Sequence, residues 1–333
     1  MSRLLSTVVT TALLAGLLAG CGSSSGPAKT GTAPINHASV VLDFTPNAIH
    51  SGIYTAVADG YLSGAGVDLK VEVPGASTDA ISLLVDHRVN FAILDIHDLA
   101  IADAAGKHLV GIMAIVERPL ASVIAQARFS SPKDLAGQTV GVTGDPSDLA
   151  VLHSIVQGSG GAASALKTLT IGYNAVPDLL SGRVAAATAF WNDEGVQLAQ
   201  QKPGGFHIFR VEDYGAPAYP ELVLSAPASE LSADPSLAAA VVHAFVHGYQ
   251  SVIADPAAGA KNLESQVSGL AASQVTSQLA GELAAFRPLG GGPVGALEPG
   301  LLKQWAGWEL KFGIVKTLPD VGTMFTQRFL PAG

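Results

Sequence analysis

"VVLDFTPNAIHSGIYTAV", residues 40–57, joins two kinds of local order in one short stretch. Val40-Val41-Leu42 is an uninterrupted apolar run, the mark of a strand covered on both faces. Thr45 can cap the helix that follows, and Pro46 can occupy its first turn, where a missing N–H costs nothing. Ile49, Gly52, Ile53, Ala56 and Val57 then fall on one apolar helical face, while Asn47, His50 and Tyr54 make a second stripe. A buried strand feeding an amphipathic helix is the building unit of an α/β fold. The second stripe begins where the strand ends, and open α/β sheets bind ligands outside the carboxyl ends of their strands. Asn47 and His50 therefore read either as ligand contacts or as a capping Asn and a surface His; Phe44 is either core or a stacking face.

The pattern continues along the chain. Strands are predicted at 39–44, 67–73, 91–94 and 109–116, with helices at about 47–59, 77–87 and 97–105 between them, as in units built on parallel strands. After Glu117-Arg118-Pro119 a new unit starts. It has strands at 121–127, 138–144, 169–173, 185–190 and 207–211, a short helix at 131–137 and longer ones at about 146–157, 176–181 and 193–201. "ELVLSA" (221–226) reads as a return strand, and helices follow at 236–253, 256–268, 272–286 and 298–312. Ala240, Val241, Phe245 and Val252 in that tail need a surface to cover them. The economical arrangement crosses to a second lobe near residue 120 and returns near 223, so that 37–120 with 224–333 form lobe 1 and 121–223 form lobe 2. Two crossings make a hinge and a cleft. At 333 residues the chain has the length for two such lobes.

The first twenty residues read as a signal peptide: Arg3 supplies the positive start, Leu4–Leu18 an apolar run too short to span a bilayer, and Leu18-Ala19-Gly20-Cys21 a cleavage site. Cys21 is the single cysteine, so an intrachain disulfide or thiolate metal cluster is excluded. Residues 22–36, small and polar, read as a tether, giving a segment 21–36 ahead of a fold that begins near His37. The formal charge is −9, and losing Arg3 with the leader makes the chain more acidic still. An acidic chain without basic runs excludes nucleic acid as a partner, and beyond the leader no uninterrupted apolar run reaches membrane-spanning length.

"LDFTPNAIHSGIYTAVADGYLSGAGVDLKVEVPG" (42–75) resembles the opening of the thiamine-pyrimidine family, which includes importer-associated binding proteins and the fungal synthase of the same pyrimidine. "VNFAILDIHDLAIADAAG" (89–106), "ERPLAS" (117–122), "SPKDLAGQTVGVTG" (131–144), "FWNDEGVQL" (190–198) and "YGAPAYPELVL" (214–224) extend the resemblance in order. Leu18-Ala19-Gly20-Cys21 is likewise similar to a bacterial lipobox, which implies a lipid on Cys21 and a place at the outer face of the cytoplasmic membrane. The family resemblance implies a two-lobed periplasmic binding protein fold of type II, each lobe a sheet flanked by helices, with the helical C-terminal tail on lobe 1. It implies a hydroxymethyl- or formylamino-type pyrimidine held in the cleft and passed to an ABC permease by a monomer that needs no cofactor. Phe44 takes the family's usual Trp position; Asn47, His50 and Tyr54 match directly; Trp191, Asn192 and Glu194 match "WNxEG", and Tyr219 the aromatic of "YGxPxY". A flat aminopyrimidine needs aromatic faces and a carboxylate or amide on its rim, which Phe44, Trp191, Glu194 and Asp95 can supply.

The chain departs from the family at "FAILDIHD" (91–98), which offers Asp95, His97 and Asp98 where bacterial relatives often carry other polar residues. The fungal enzyme needs a lysine in this region and a cysteine-rich element; this chain has no lysine between Lys70 and Lys107 and no cysteine besides Cys21, so catalysis is not expected. "VGVTGDPSD" (140–148) is a turn that either holds an anion on its N–H groups, with Thr143 at the site, or is an ordinary capped turn. His243 and His247 lack the glutamate of a zinc helix, and Trp305 and Trp308 read as an apolar stripe against lobe 1. Binding of a sulfonate, nitrate or riboflavin in the same architecture, or an enzyme of pyrimidine synthesis, are the alternatives.

Overall fold

The computed structural model describes residues 36–75 and 79–332. The leader, Cys21 and the tether up to residue 35 lie outside the described residues.

Among the described residues, ten strands form two sheets. β1 (Asn36–Val41), β2 (Val67–Glu72), β3 (Phe91–Asp95), β4 (Leu109–Val116) and β10 (Leu222–Pro227) make the first, in the order β2-β1-β3-β10-β4. β5 (Ala121–Gln126), β6 (Thr139–Val142), β7 (Lys167–Thr170), β8 (Ala186–Phe190) and β9 (Phe206–Arg210) make the second, in the order β7-β6-β8-β5-β9. The chain passes between the sheets after β4 and again before β10, and helices flank both, which is the two-lobed α/β arrangement. The sheets are mixed, not parallel throughout. β10 runs antiparallel to β3 and β4, and β5 antiparallel to β8 and β9, because each is the first strand after a crossing and enters its sheet from the cleft side.

Val40, Val41 and Leu42 are fully buried, as an uninterrupted apolar strand requires. The helical tail closes over the first sheet. Helix Pro235–Ala254 is long and apolar enough by composition to cross a membrane, yet half of that window is buried, with Val241, Val242, Phe245 and Val252 in the core. It crosses helix Ser51–Ala58 so closely that a Cβ on Gly248 would lie 2.0 Å from the Gly52 carbonyl oxygen, and one on Gly52 would lie 2.4 Å from the Tyr249 ring. Gly248→Ala therefore forces the two helices apart and is expected to cost about 2–3 kcal/mol, read as a lower urea midpoint; an unchanged midpoint would refute the close crossing. On the last helix, Pro299–Phe312, Trp305 and Trp308 are buried against His97 and Tyr219, an apolar stripe turned inward. His243 and His247 are both exposed.

Candidate functional site

A cavity of about 90 Å³ lies between the carboxyl ends of strands from the two sheets. That is room for several waters, the size class of a single-ring molecule. From the first lobe, Asp43 and Phe44 follow β1, Asp95 ends β3 and Asp98 stands in the first turn of helix Ile96–Ala104. From the second come Thr143, Asp145 and Asp148 after β6, Tyr173 after β7, Thr188 and Phe190 on β8, and Glu194 at the start of helix Glu194–Gln201. The lobes touch across it: the Phe44 and Tyr173 rings meet edge to face at 4.4 Å, the Tyr173 hydroxyl donates to the Asp43 carbonyl at 3.3 Å, and the Ser147 N–H donates to Asp98 at 3.2 Å.

Asp43, Asp95, Asp98, Asp145, Asp148 and Glu194 all line this space, and among the described residues no lysine or arginine does. Crowding and burial raise several of them. Burial, then the neighbouring Asp145, pushes Asp98 up to about 7; burial, then Asp193, pushes Glu194 up to about 8. Burial also raises Asp148, and raises Asp95 well above the carboxylate range. The surface thus offers carboxyl groups, several of them favoured in their protonated form by burial, beside three aromatic rings, an arrangement able to pair with amino groups and ring nitrogens of a flat heterocycle.

Of the residues singled out in the sequence, the structure brings Phe44, Asp95, Thr143 and Glu194 to the cavity. Thr143 faces its own turn: its hydroxyl donates to Asp148 at 2.6 Å and accepts from the Asp145 N–H, while the Gly144 N–H also donates to Asp148. The turn is capped by its own carboxylate. Asn47 and His50 lie behind the wall. Asn47 caps the short turn Ala48–His50, its Oδ1 accepting from the Ile49 N–H at 3.1 Å. The His50 Nδ1 accepts from the Asn47 N–H, which leaves Nε2 to donate to the Asp43 carboxylate at 2.9 Å. His50 thereby aims Asp43. Tyr54 is buried a turn further on, at a separate surface groove with Pro46, Val57 and Val71.

Trp191 and Asn192 also stand back from the cavity. The Trp191 indole donates to the Pro119 carbonyl at 3.1 Å under the Arg210 guanidinium, and Asn192 donates to Glu282 at 2.8 Å. His97 and Tyr219 sit beneath the cavity floor, fully buried. The His97 Nδ1 pairs with Glu309 and its Nε2 lies 3.1 Å from the Tyr219 hydroxyl; Glu309 and Asp95 together outweigh burial and hold the imidazolium up at about 10. Asp95, His97 and Glu221 are the one grouping among the described residues with metal-ligand spacing, but both nitrogens of His97 are already engaged and Asp95 shares a hydrogen bond with Glu221. It is a proton-bridged cluster. Glu221 also accepts from the N–H groups of Leu120 and Ala121, where the chain crosses between lobes.

Sequence reasoning missed Asp43, Asp148, Tyr173, Thr188 and Phe190. Asp43, Tyr173 and Phe190 stand at or just past strand ends, so the rule that directed attention to Asn47 and His50 applied to them equally.

The comparisons with known proteins bear on this geometry. The NMT1/THI5-like family model matches residues 47–259. The chain belongs to the NMT1/THI5-like family. It is 29% identical over 219 residues to a formylaminopyrimidine-binding protein of Halalkalibacterium halodurans, the match covering 65% of this chain and 66% of that one. It is 29% identical over 191 residues to a Haemophilus influenzae protein described as a thiamine biosynthesis protein, covering 56% and 60%. The chain thus spans just under two thirds of the length of the curated relatives it matches. Among solved structures, the alkanesulfonate-binding protein SsuA of Xanthomonas axonopodis pv. citri superposes with a TM-score of 0.68 at 16% identity, covering 88% of this chain and 99% of that one. The nitrate-binding protein NrtA of Synechocystis does so with 0.68 at 10% identity, covering 89% and 87%. At such identities the likeness is one of fold, and it is the two-lobed fold of periplasmic binding proteins.

The raised carboxyls have a consequence for stability. Asp98 at about 7 and Glu117, Glu194 and Glu282 at about 8 bind protons more tightly in the folded chain than in the unfolded one, where such groups titrate at 3.8 to 4.5. Stability from these groups is fully present below the unfolded values and is lost as pH rises through the folded ones. His97 adds the same sign, since its contribution is complete below 6.5 and disappears as pH passes about 10. The melting temperature of the ligand-free protein is expected to fall by roughly 5 °C or more between about pH 5.5 and 9; a flat or rising profile would contradict the assignment.

Proposed function

We propose that the chain is the substrate-binding component of an ABC importer, whose lobes, 37–120 with 224–333 and 121–223, close on a thiamine-pyrimidine precursor of the hydroxymethyl or formylamino type. The observation that carries this reading is the cavity itself: among its described lining residues are six carboxyl groups, three aromatic rings and no lysine or arginine. An aminopyrimidine ring presents N–H donors and basic nitrogens around a flat face, which is the complement of such a wall. The relatedness to a formylaminopyrimidine-binding protein supports the same ligand class.

Phe44 and Tyr173 supply faces, Asp43 and Glu194 carboxyl groups at the rim, and Asp95 a carboxyl at the floor whose burial favours its protonated form. His50 acts through Asp43, and Trp191 and Asn192 act through the loop that carries Glu194. The reading includes a lipid on Cys21 that tethers a monomer to the outer face of the cytoplasmic membrane, and a bound ligand released unchanged. Chemistry is the rival reading, since the fold also occurs in the desulfurization enzyme DszB. The sulfonate and nitrate alternatives find no lysine or arginine among the described lining residues of the cavity.

Calorimetric titration with hydroxymethylpyrimidine, its formylamino relative, thiamine, riboflavin, an alkanesulfonate and nitrate tests the proposal. Stoichiometric binding of one of the two precursors, recovered intact after incubation, is expected. Binding of an anion alone, or recovery of an altered pyrimidine, would sink it.

A further inference from the structure

Helix Ala272–Glu282 lies beyond the segment matched by the family model, which ends at residue 259. Val275 and Leu279 on one face of the helix are buried in the core of the first lobe. Gln278 and Glu282, four residues apart and so on a shared face, are 1% and 0% exposed and reach toward the second lobe. The Gln278 Oε1 accepts from the Ala48 N–H at 3.3 Å, and its Nε2 donates to the Asp193 carboxylate. Glu282 Oε1 accepts from the Asn192 amide at 2.8 Å. Every partner of the Gln278 amide is thus fixed: acceptor to the first lobe, donor to the second.

Each end leads to the cavity. Ala48 opens the turn that contains His50, which donates to Asp43; Asp193 precedes Glu194, whose carboxylate also accepts from the Phe190 N–H at 3.1 Å. Just past the helix, the Ala285 and Ala284 carbonyls accept from the Glu117 N–H at 2.7 Å and the Arg118 side chain at 3.2 Å, gripping the first crossing between lobes.

We propose that this helix is a closure clasp, in which Gln278 and Glu282 are positioning residues that hold the Asn192–Glu194 loop against the Asp43 loop and so set the spacing of the Asp43 and Glu194 carboxylates across the cavity. The bonds span the lobes, so they form on closing and break on opening. A clasp of this kind governs how long a ligand stays, not how fast it enters. It rests on the binding reading above only for its ligand arm.

The test uses Gln278→Glu, which turns the amide donor into a charge facing Asp193, and the pair Glu282→Ala and Glu282→Gln, of which only the glutamine keeps an acceptor for Asn192. Stopped-flow binding of the tighter-bound precursor should show Q278E and E282A releasing about tenfold faster or more, the loss of one or two buried hydrogen bonds, with association little changed and E282Q close to the parent. Small-angle scattering of the ligand-free proteins should show Q278E more extended. Unchanged release in folded variants, or E282Q failing as badly as E282A, would overturn the clasp. Should no pyrimidine bind the parent, the function proposed above fails by itself, and scattering decides the clasp: an extended Q278E sustains it and an unchanged profile removes it. Should Q278E not fold, the Glu282 pair carries the decision.

Discussion

Glu221→Ala is expected to lower the stability of the folded chain by about 3–5 kcal/mol, the cost of breaking a buried charged network by removing one member. Glu221 is fully buried and stands just ahead of β10, where the chain returns from the second lobe. Its carboxylate accepts from the N–H groups of Leu120 and Ala121, at the place where the chain first leaves. One side chain therefore ties both crossings together. Removing it leaves two buried donors without partners, each worth about 1–3 kcal/mol, and also strips Asp95 of the carboxylate with which it shares a hydrogen bond. Glu221→Gln keeps an oxygen for both N–H groups and should lose about half as much. Urea unfolding read by tryptophan fluorescence measures both. An alanine variant as stable as the parent would show that the crossings are held by something else.

How much of this was legible in the sequence depends on how far apart the interacting residues lie. β3 and β4 fall within one residue of the expected ranges, because a strand covered on both faces is a continuous apolar run and little else reads that way. Strand direction was not legible. Nothing in "ASVIAQA" or "ELVLSA" says that these strands enter their sheets from the cleft and run against their neighbours. Of the two readings left open for Asn47 and His50, the Ala48–His50 turn takes Asn47 as its cap, while His50 is buried, not on the surface, and points at Asp43. A polar stripe at a helix start is ambiguous because its first duty is to unpaired backbone N–H groups. The His97–Glu309 pair spans 212 positions, and the Gln278 bridge joins residues 230 and 85 positions away. No local pattern announces such partners.

The second large effect concerns what the cavity refuses. A phosphate ester of the hydroxymethylpyrimidine is expected to bind at least about a thousandfold more weakly than the free alcohol, and alkanesulfonates and nitrate should bind as poorly, although the fold neighbours include proteins named for exactly these anions. A single ionised carboxylate about 6 Å from a unit negative charge costs about 3 kcal/mol at an effective dielectric of 20. A phosphate monoester carries nearly twice that charge, so one such neighbour already accounts for about four powers of ten. Asp43, Asp98, Asp145, Asp148 and Glu194 surround the space, with no lysine or arginine among the described lining residues to offset them. The protons held by Asp98 up to about 7 and by Glu194 up to about 8 soften this wall at low pH. The discrimination should therefore widen as pH rises from about 6 to 8.5: deprotonation repels the ester further and holds the amino-bearing ring more firmly. Competition titrations at the two ends of that range give the ratio directly. An ester within tenfold of the alcohol, or a ratio that narrows with pH, would mean that the carboxylates do not face the bound ligand.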